Sequence, residues 1–470
     1  NAAHTTPSNY LTGYTLVHAA TSAAPAKPVY FNRAPFVGTA LMGAVLHLTD
    51  DLKWQVRLSR LLSNLVVCAA FALVLLILRD AGVSLPLAVA ACLWALAGHW
   101  LMRYRDMPSV DVWSLLSFAL VARAAQPLAD GKTRPRRLLM VAAACSIGWG
   151  YATLVPLTVW AVADLTSALR RGRSVAWATH RKTLAHRGGA AALTVGLVMS
   201  GVYLVHMTVA EAAVKEVSVA ETGVWQSARK RLGFDPAFNA RTQHARQDVV
   251  NVLSRRIVKS TMPNTMHGAL GPSGRDVLRN PRWAAVLFVL VLGLFVAVAR
   301  TPRGHRASLL ALGLGGVGWY LCVPNLSLHH DYVAISLLGT VAVAAAGLLA
   351  PFARLPTGGQ WLVAALVAIS FGDANGQYNK IKSAEAARYN AVTRDFAEVA
   401  SKLPRGVSVY YREGYRGLTG EAPYKVGFYL PSNPIAARPE DTEFAITRYR
   451  KGPGTPLTPK NRRVFLYKSR

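Results

Sequence analysis

The chain is short of charge, and shorter still of acid. Only 16% of its 470 residues are charged, and 23 Asp and Glu face 53 Lys and Arg. With 52% hydrophobic residues and a positive mean hydropathy, that scarcity excludes an ordinary soluble domain. Cysteine is scarce too. Cys68, Cys92, Cys145 and Cys322 all fall in apolar runs and lack the spacing of a zinc site or a disulfide framework, so they read as small buried apolar residues. No internal repeat is visible. No targeting segment is visible either, and the first residue is Asn, so the expectation is that a further segment precedes it. Ionisable residues are nearly missing from the middle of the apolar runs, with Asp164 toward one end. A transporter would place them there, so this shortage argues against one.

What is abundant is apolar sequence in blocks. ALTVGLVMSGVYLV (192–205), WAAVLFVLVLGLFVAVA (283–299) and VAISLLGTVAVAAAGLLA (333–350) approach the roughly 20 residues that cross a bilayer core. Hydropathy predicts about ten spans, near 58–79, 83–102, 112–126, 137–150, 152–168, 190–208, 283–300, 306–323, 332–352 and 359–373. The pair interrupted by GWGY (148–151) reads either as two thin spans or as one broken hairpin.

The formal charge of +30 has two readings, nucleic acid or membrane. The basic residues mostly flank spans, which selects a membrane protein with anionic lipid partners and no nucleic acid. The short loops GKTRPRR (131–137), RRGRSVAWATHRKTLAHR (170–187) and RTPRGHR (300–306) fall on one side, with Arg79 and Arg354, and mark it as cytoplasmic. Residues 1–53, the RYRDMPSVD loop (103–111), the long loop 209–281 and everything after about 375 then face outward.

Several outward segments have local character. APFVGTALMGAVLHL (34–48) predicts an interfacial or re-entrant helix, and SNYLTGYTLVHAA (8–20) a second surface helix. ARQDVVNVLSRRIVKS (245–260) predicts an amphipathic helix on the membrane surface with a basic outer face. AARYNAVTRDFAEVASKL (386–403) reads as an amphipathic helix, followed by the strand-like runs GVSVYYR (406–412), YKVGFYL (424–430), EFAITRY (443–449) and RRVFLYK (462–468). The expected organisation is therefore an outer segment 1–53 with surface helices and an all-α membrane core over 54–383. A small soluble α/β domain follows over 384–470.

Polar residues at the outer mouths of spans are the candidate chemistry. In RYRDMPSVD these are Arg103, Arg105, Asp106 and Asp111. Arg103 and Arg105 either anchor a helix end or bind an anion, and Asp111 is either a helix-start cap or a functional carboxylate. YFNRAPF (30–36) puts Arg33 before a helix start, an arrangement suited to phosphate. NLSLHHDYVAIS (325–336) puts His329, His330, Asp331 and Tyr332 at another mouth, where phosphate or sugar hydrogen bonding ranks ahead of metal ligation. His4 alone says little. Arginine and histidine beside a few carboxylates suit an anionic lipid-linked substrate and one general base.

Taken in order, these segments resemble the GT-C superfamily of polyprenyl-phosphate-sugar glycosyltransferases, and within it the protein O-mannosyltransferases and lipid A aminoarabinose transferases. YFNRAPFVGTALMGAVLHLTDDLKWQVRLSRLLSNL (30–65) looks like the family's first outer loop and RYRDMPSVD like its second. LLMVAAACSIGWGYATLVPLTVWAVADLTSALRRGR (138–173) has the shape of the family's hairpin. Ala34-Pro35 stands where the family usually has Pro-Pro, and Gly150-Tyr151 where its hairpin has a lysine.

The resemblance implies a bacterial inner-membrane enzyme with a periplasmic site and a periplasmic C-terminal domain. It would move a sugar from a polyprenyl phosphate to a hydroxyl of protein, lipid A or polysaccharide, with inversion. An outer-loop aspartate would act as base, either upstream of Asn1 or Asp106 or Asp111. Arg33, Arg103 and Arg105 would hold the donor phosphate. His4, Tyr30, Asn32, His329, His330, Asp331 and Tyr332 would contact sugar or acceptor. A divalent cation stays open as a cofactor. The alternatives are a non-catalytic GT-C-like subunit of a larger membrane assembly and a glycolipid transporter or flippase.

Overall fold

The computed structural model describes residues 17–18, 28–29, 37–49, 52–98, 101–102, 110–126, 140–172, 188–213, 224–235, 253, 256–257, 281–329, 331–404, 406–407, 409–412, 435–436, 442–447, 455–456 and 465–468. The helices are α1 (Val37–Leu46), α2 (Leu52–Asp80), α3 (Leu85–Leu96), α4 (Val110–Ala124), α5 (Leu154–Gly172) and α6 (Gly188–Ala213). They continue with α7 (Val224–Arg231), α8 (Pro281–Arg300), α9 (Arg306–Cys322), α10 (Pro324–His329), α11 (Leu338–Leu349) and α12 (Thr357–Ser401).

Three described segments are long and apolar enough to cross a membrane: Arg57–Asp80, Gly188–Val209 and Tyr332–Arg354. Leu85–Leu96, Val112–Ala124 and Phe288–Arg300 are shorter apolar helices. Apolar side chains stay exposed along α6 (Leu197, Val198, Val202, Val205), α8 (Phe288, Val291, Phe295) and α12 (Leu362, Leu366, Ile369). Phe295 is 69% exposed. In water such a belt would be a liability; in lipid it is the expected outer surface.

The segment Tyr332–Arg354 lies at the centre, 89% of its apolar window being buried. It packs between α3, α8 and α9 through small residues. A Cβ on Gly347 would fall 1.8 Å from the Gly293 carbonyl oxygen, and one on Gly316 1.9 Å from the Ser336 carbonyl oxygen. Only glycine lets these backbones approach so closely, the usual basis of helix contact in lipid.

Contacts along α6 resolve the interrupted hairpin. Cβ positions on Gly188, Gly196 and Gly148 meet Met140, Ile147 and Tyr203 respectively, so residues 140–148 run in the direction of α6. Leu157 meets Gly196 while Ala161 and Asp164 meet Gly189, so α5 runs the opposite way. The two limbs are antiparallel, and GWGY is the turn between them.

At one end of the bundle the termini of α2, α4, α8, α9 and α11 come together. Arg123 pairs with Asp80 and also donates to Gln126 Oε1. Ser308 Oγ donates to the Ala122 carbonyl at 2.6 Å, and Arg300 to the Ala350 carbonyl at 3.3 Å. Arg79, Arg303, Arg306 and Arg354 belong to the same termini, as expected for RTPRGHR, Arg79 and Arg354; GKTRPRR (131–137) and residues 173–187 of the other basic loop lie outside the described residues.

Three segments depart from expectation. Val17 and His18 are not helical but pair antiparallel with Val29 and Pro28. Pro28 has no backbone N–H and Val17 is β-branched, so a short edge ladder suits both better than a helix. Residues 359–373 and 386–403, expected as separate helices, are parts of one 45-residue helix, α12, about 68 Å long by helical rise and far longer than a bilayer core. In 245–260 the described residues are Leu253, Arg256 and Ile257, helical and all buried, so Arg256 lies on the packed face rather than on a basic outer one.

After α12 the described strands are β3 (Val409–Arg412), β4 (Ile435–Ala436), β5 (Phe444–Thr447), β6 (Thr455–Pro456) and β7 (Phe465–Lys468), β1 and β2 being the Val17–His18 and Pro28–Val29 pair. They form a mixed sheet in the order β4-β3-β5-β7-β6, parallel for the first three strands and antiparallel for the rest. Three of the four predicted runs supply β3, β5 and β7; YKVGFYL lies outside the described residues.

Candidate functional site

The end of the bundle opposite the arginines gathers segments far apart in sequence. The first turn of α4, just after RYRDMPSVD, presents Trp113, which is 3% exposed. Its ring meets Trp149 of the GWGY turn edge-on, with centroids 5.6 Å apart and planes at 81°. Gly38, in the first turn of α1, has its Cβ position 4.0 Å from Trp113. A Cβ on Gly148 would lie 2.7 Å from Val37 Cγ2 and 2.8 Å from Tyr203 Oη. The segments following YFNRAP and RYRDMPSVD thus meet over one aromatic turn. The 3-10 turn Asp331–Leu337 packs on α4, bringing the NLSLHHDYVAIS segment to the same helix.

Tyr151 follows in the turn. Its hydroxyl is buried and makes no hydrogen bond to the described residues. Burial pushes its pKa well above the ordinary value, the Arg231 charge works against that rise, and Tyr203 adds to it. Arg231 ends α7, a helix within the segment 209–281 whose last turn is Arg229, Lys230 and Arg231. That helix is fixed to α10, because Asn325 Nδ2 donates to the Lys230 carbonyl at 2.6 Å.

A second cation underlies α10. Arg256 is 6% exposed, donates to the Ser327 carbonyl, reaches the Leu328 carbonyl at 3.4 Å, and lies 5.7 Å from the Tyr320 ring centroid. Tyr320 Oη donates to the Ser327 carbonyl at 3.1 Å, and Ser327 Oγ to the Tyr320 carbonyl at 2.8 Å. These bonds clamp the chain immediately before His329.

Of the residues named from sequence, Tyr332 is half-buried against the Tyr320 cluster. Asp111 occupies the first turn of α4, His329 ends α10 and Asp331 opens the following 3-10 turn; their backbones are described and their side chains are not. His4, Tyr30, Asn32, Arg33, Arg103, Arg105, Asp106 and His330 lie outside the described residues. No three His, Cys, Asp or Glu side chains gather into a metal site among the described residues. Sequence reasoning missed Tyr151, Arg231 and Arg256. Only Tyr151 carried a signal, as the tyrosine beside the hairpin turn where a lysine was expected.

The class these features define is a helical membrane protein. The fold is similar to that of ArnT from Cupriavidus metallidurans, whose crystal structure is bound to undecaprenyl phosphate. The likeness has a TM-score of 0.59 at 11% identity and covers 100% of this chain and 93% of that one. At that identity the likeness is one of fold, and to that extent the resemblance read from the loops is borne out. No protein-family profile and no curated protein matches the chain.

Proposed function

We propose that the chain is an integral membrane glycosyltransferase that moves a sugar from a polyprenyl phosphate to an acceptor hydroxyl, by inverting displacement on the outer face of a bacterial inner membrane. The observation that carries this reading is the whole-chain likeness to a protein holding undecaprenyl phosphate, together with the gathering of segments distant in sequence at one end of the bundle. In this reading Arg33, Arg103 and Arg105 hold the donor phosphate, and Asp106 or Asp111 serves the acceptor hydroxyl as base. His4, Tyr30, Asn32, His329, His330, Asp331 and Tyr332 line the sugar and acceptor side. Tyr151 and Arg231 join the phosphate end: a buried hydroxyl with no hydrogen-bond partner among the described residues, within the field of a cation, is suited to an anionic oxygen. Fixed positive charge stabilises the departing lipid phosphate, and no nucleotide-binding fold is needed because the donor arrives as lipid.

The test is sugar transfer in proteoliposomes from a mixed set of polyprenyl-phosphate sugars. Transfer by the wild-type chain, abolished in Arg33→Ala and Arg105→Ala with folding intact, is the expected result. Unchanged transfer in both variants would remove the site assignment, and donor binding without any transfer would favour the non-catalytic subunit.

A further inference from the structure

The arginine-rich end of the bundle holds a cavity of about 140 Å³, far from the aromatic cluster. Its wall is mostly apolar, with Leu78, Leu87 and Ala346 inside and Gly82, Ser84 and Arg300 toward the mouth. Space on this scale takes up a small apolar guest; an engineered cavity of about 150 Å³ binds benzene. The mouth has the opposite character. Arg300 closes α8, is exposed, and among the described residues has no carboxylate partner. Arg79, Arg303, Arg306 and Arg354 stand at the same end, while Asp80 is already paired with Arg123. The polar wall groups are committed: Ser84 Oγ donates to Gln360 Oε1, and Thr301 Oγ1 to the Ala297 carbonyl at 2.7 Å. What is left for a guest is an apolar interior at the end of the spans and a positive charge at its opening.

We infer that this cavity is a binding site for an anionic phospholipid of the leaflet at the arginine-rich end, with a short segment of an acyl chain against Leu78, Leu87 and Ala346 and its phosphate at Arg300. The two chemistries arrive in one molecule and at the matching depth, since the cavity lies where spans give way to basic loops. The inference does not rest on the glycosyltransferase reading, and its test involves neither sugar nor polyprenyl donor.

The experiment is native mass spectrometry of the delipidated full chain, titrated with phosphatidylglycerol, with phosphatidylcholine of the same chains, or with soluble glycerol 3-phosphate. Phosphatidylglycerol adducts should persist at collision energies that strip phosphatidylcholine. Arg300→Gln should weaken the phosphatidylglycerol adduct about five-fold, the factor one basic residue contributes near an anionic surface. Arg300→Lys, which keeps the charge, should retain most of it. Ala353→Leu narrows the exposed mouth without touching the buried core and should lower occupancy to a similar extent. Equal retention of the two lipids would overturn the site, as would wild-type retention in Arg300→Gln or Ala353→Leu, or loss in Arg300→Lys equal to that in Arg300→Gln. Displacement of the lipid by glycerol 3-phosphate would also overturn it, by showing a plain anion site.

Discussion

Replacing Tyr151 by Phe should move stability and donor binding in opposite directions. The Tyr151 hydroxyl is buried and makes no hydrogen bond to the described residues. A buried hydroxyl without a partner costs about 1–3 kcal/mol by mutational measures. The phenylalanine would keep the ring and its contacts and remove that cost, so the ligand-free protein should gain about 1 kcal/mol. With donor bound, the wild-type hydroxyl would donate to a phosphate oxygen, a charge-assisted bond worth about 1.5–3 kcal/mol, or roughly a 10- to 100-fold change in Kd. The assay is thermal unfolding of purified Tyr151→Phe and wild-type chains, each with and without polyprenyl phosphate. Wild type should show the larger lipid-dependent rise and the variant the higher starting point. A variant that unfolds earlier without lipid, yet shows an undiminished lipid-dependent rise, would refute the reasoning. The hydroxyl would then be bonded within the protein and no part of the phosphate site.

Arg256→Ala should destabilise by about 1.5–3 kcal/mol in chemical denaturation, the lower part of that range being favoured because Tyr320 Oη still satisfies the Ser327 carbonyl. Proteolysis near residues 326–332 should become faster in that variant. Gly347→Ala should cost about 2–3 kcal/mol, since its Cβ would strike the Gly293 backbone, whereas Gly376→Ala, with nothing within 4 Å, should stabilise α12 by about 0.5–1 kcal/mol; equal effects would show that α8 and α11 are not in close contact. Burial lowers the pKa of His305, Asp80 opposing and Arg123 adding to the shift. The unfolded chain therefore takes up a proton first as pH falls through about 6.5, and the stability His305 contributes is present above that pH and lost below it. His305→Gln should remove this acid-side loss from a plot of melting temperature against pH.

The parts of the fold legible in the sequence are those set by local composition. Apolar runs over 192–205, 283–299 and 333–350 became buried or lipid-facing helix, because helix is the form in which a bilayer satisfies backbone polar groups. The basic loop RTPRGHR, with Arg79 and Arg354, gave the grouping of termini at one end. Enrichment in β-branched and aromatic residues in EFAITRY and RRVFLYK gave β5 and β7. Features set by distant partners were not legible. Arg256 looked like one more surface cation of an amphipathic helix, since nothing near it in the chain announces the carbonyls of Ser327 and Leu328. The unbroken course of α12 was hidden because its composition changes near Asp373 while its backbone does not. Of the candidate site, charge singled out the segments that flank it; the aromatic turn joining α1 and α4, Trp113 on Trp149 with Tyr203 over Gly148, depends on tertiary packing alone.

The central claim is that a polyprenyl phosphate binds at the aromatic end of the bundle. A polyprenyl phosphate with a photoreactive group beside its phosphate, cross-linked to the protein in proteoliposomes and mapped by peptide mass spectrometry, tests it most directly. Cross-links should concentrate in residues 110–113, 148–153, 224–235 and 324–332. Labelling confined to residues 300–306 and 350–354 at the arginine-rich end would contradict it.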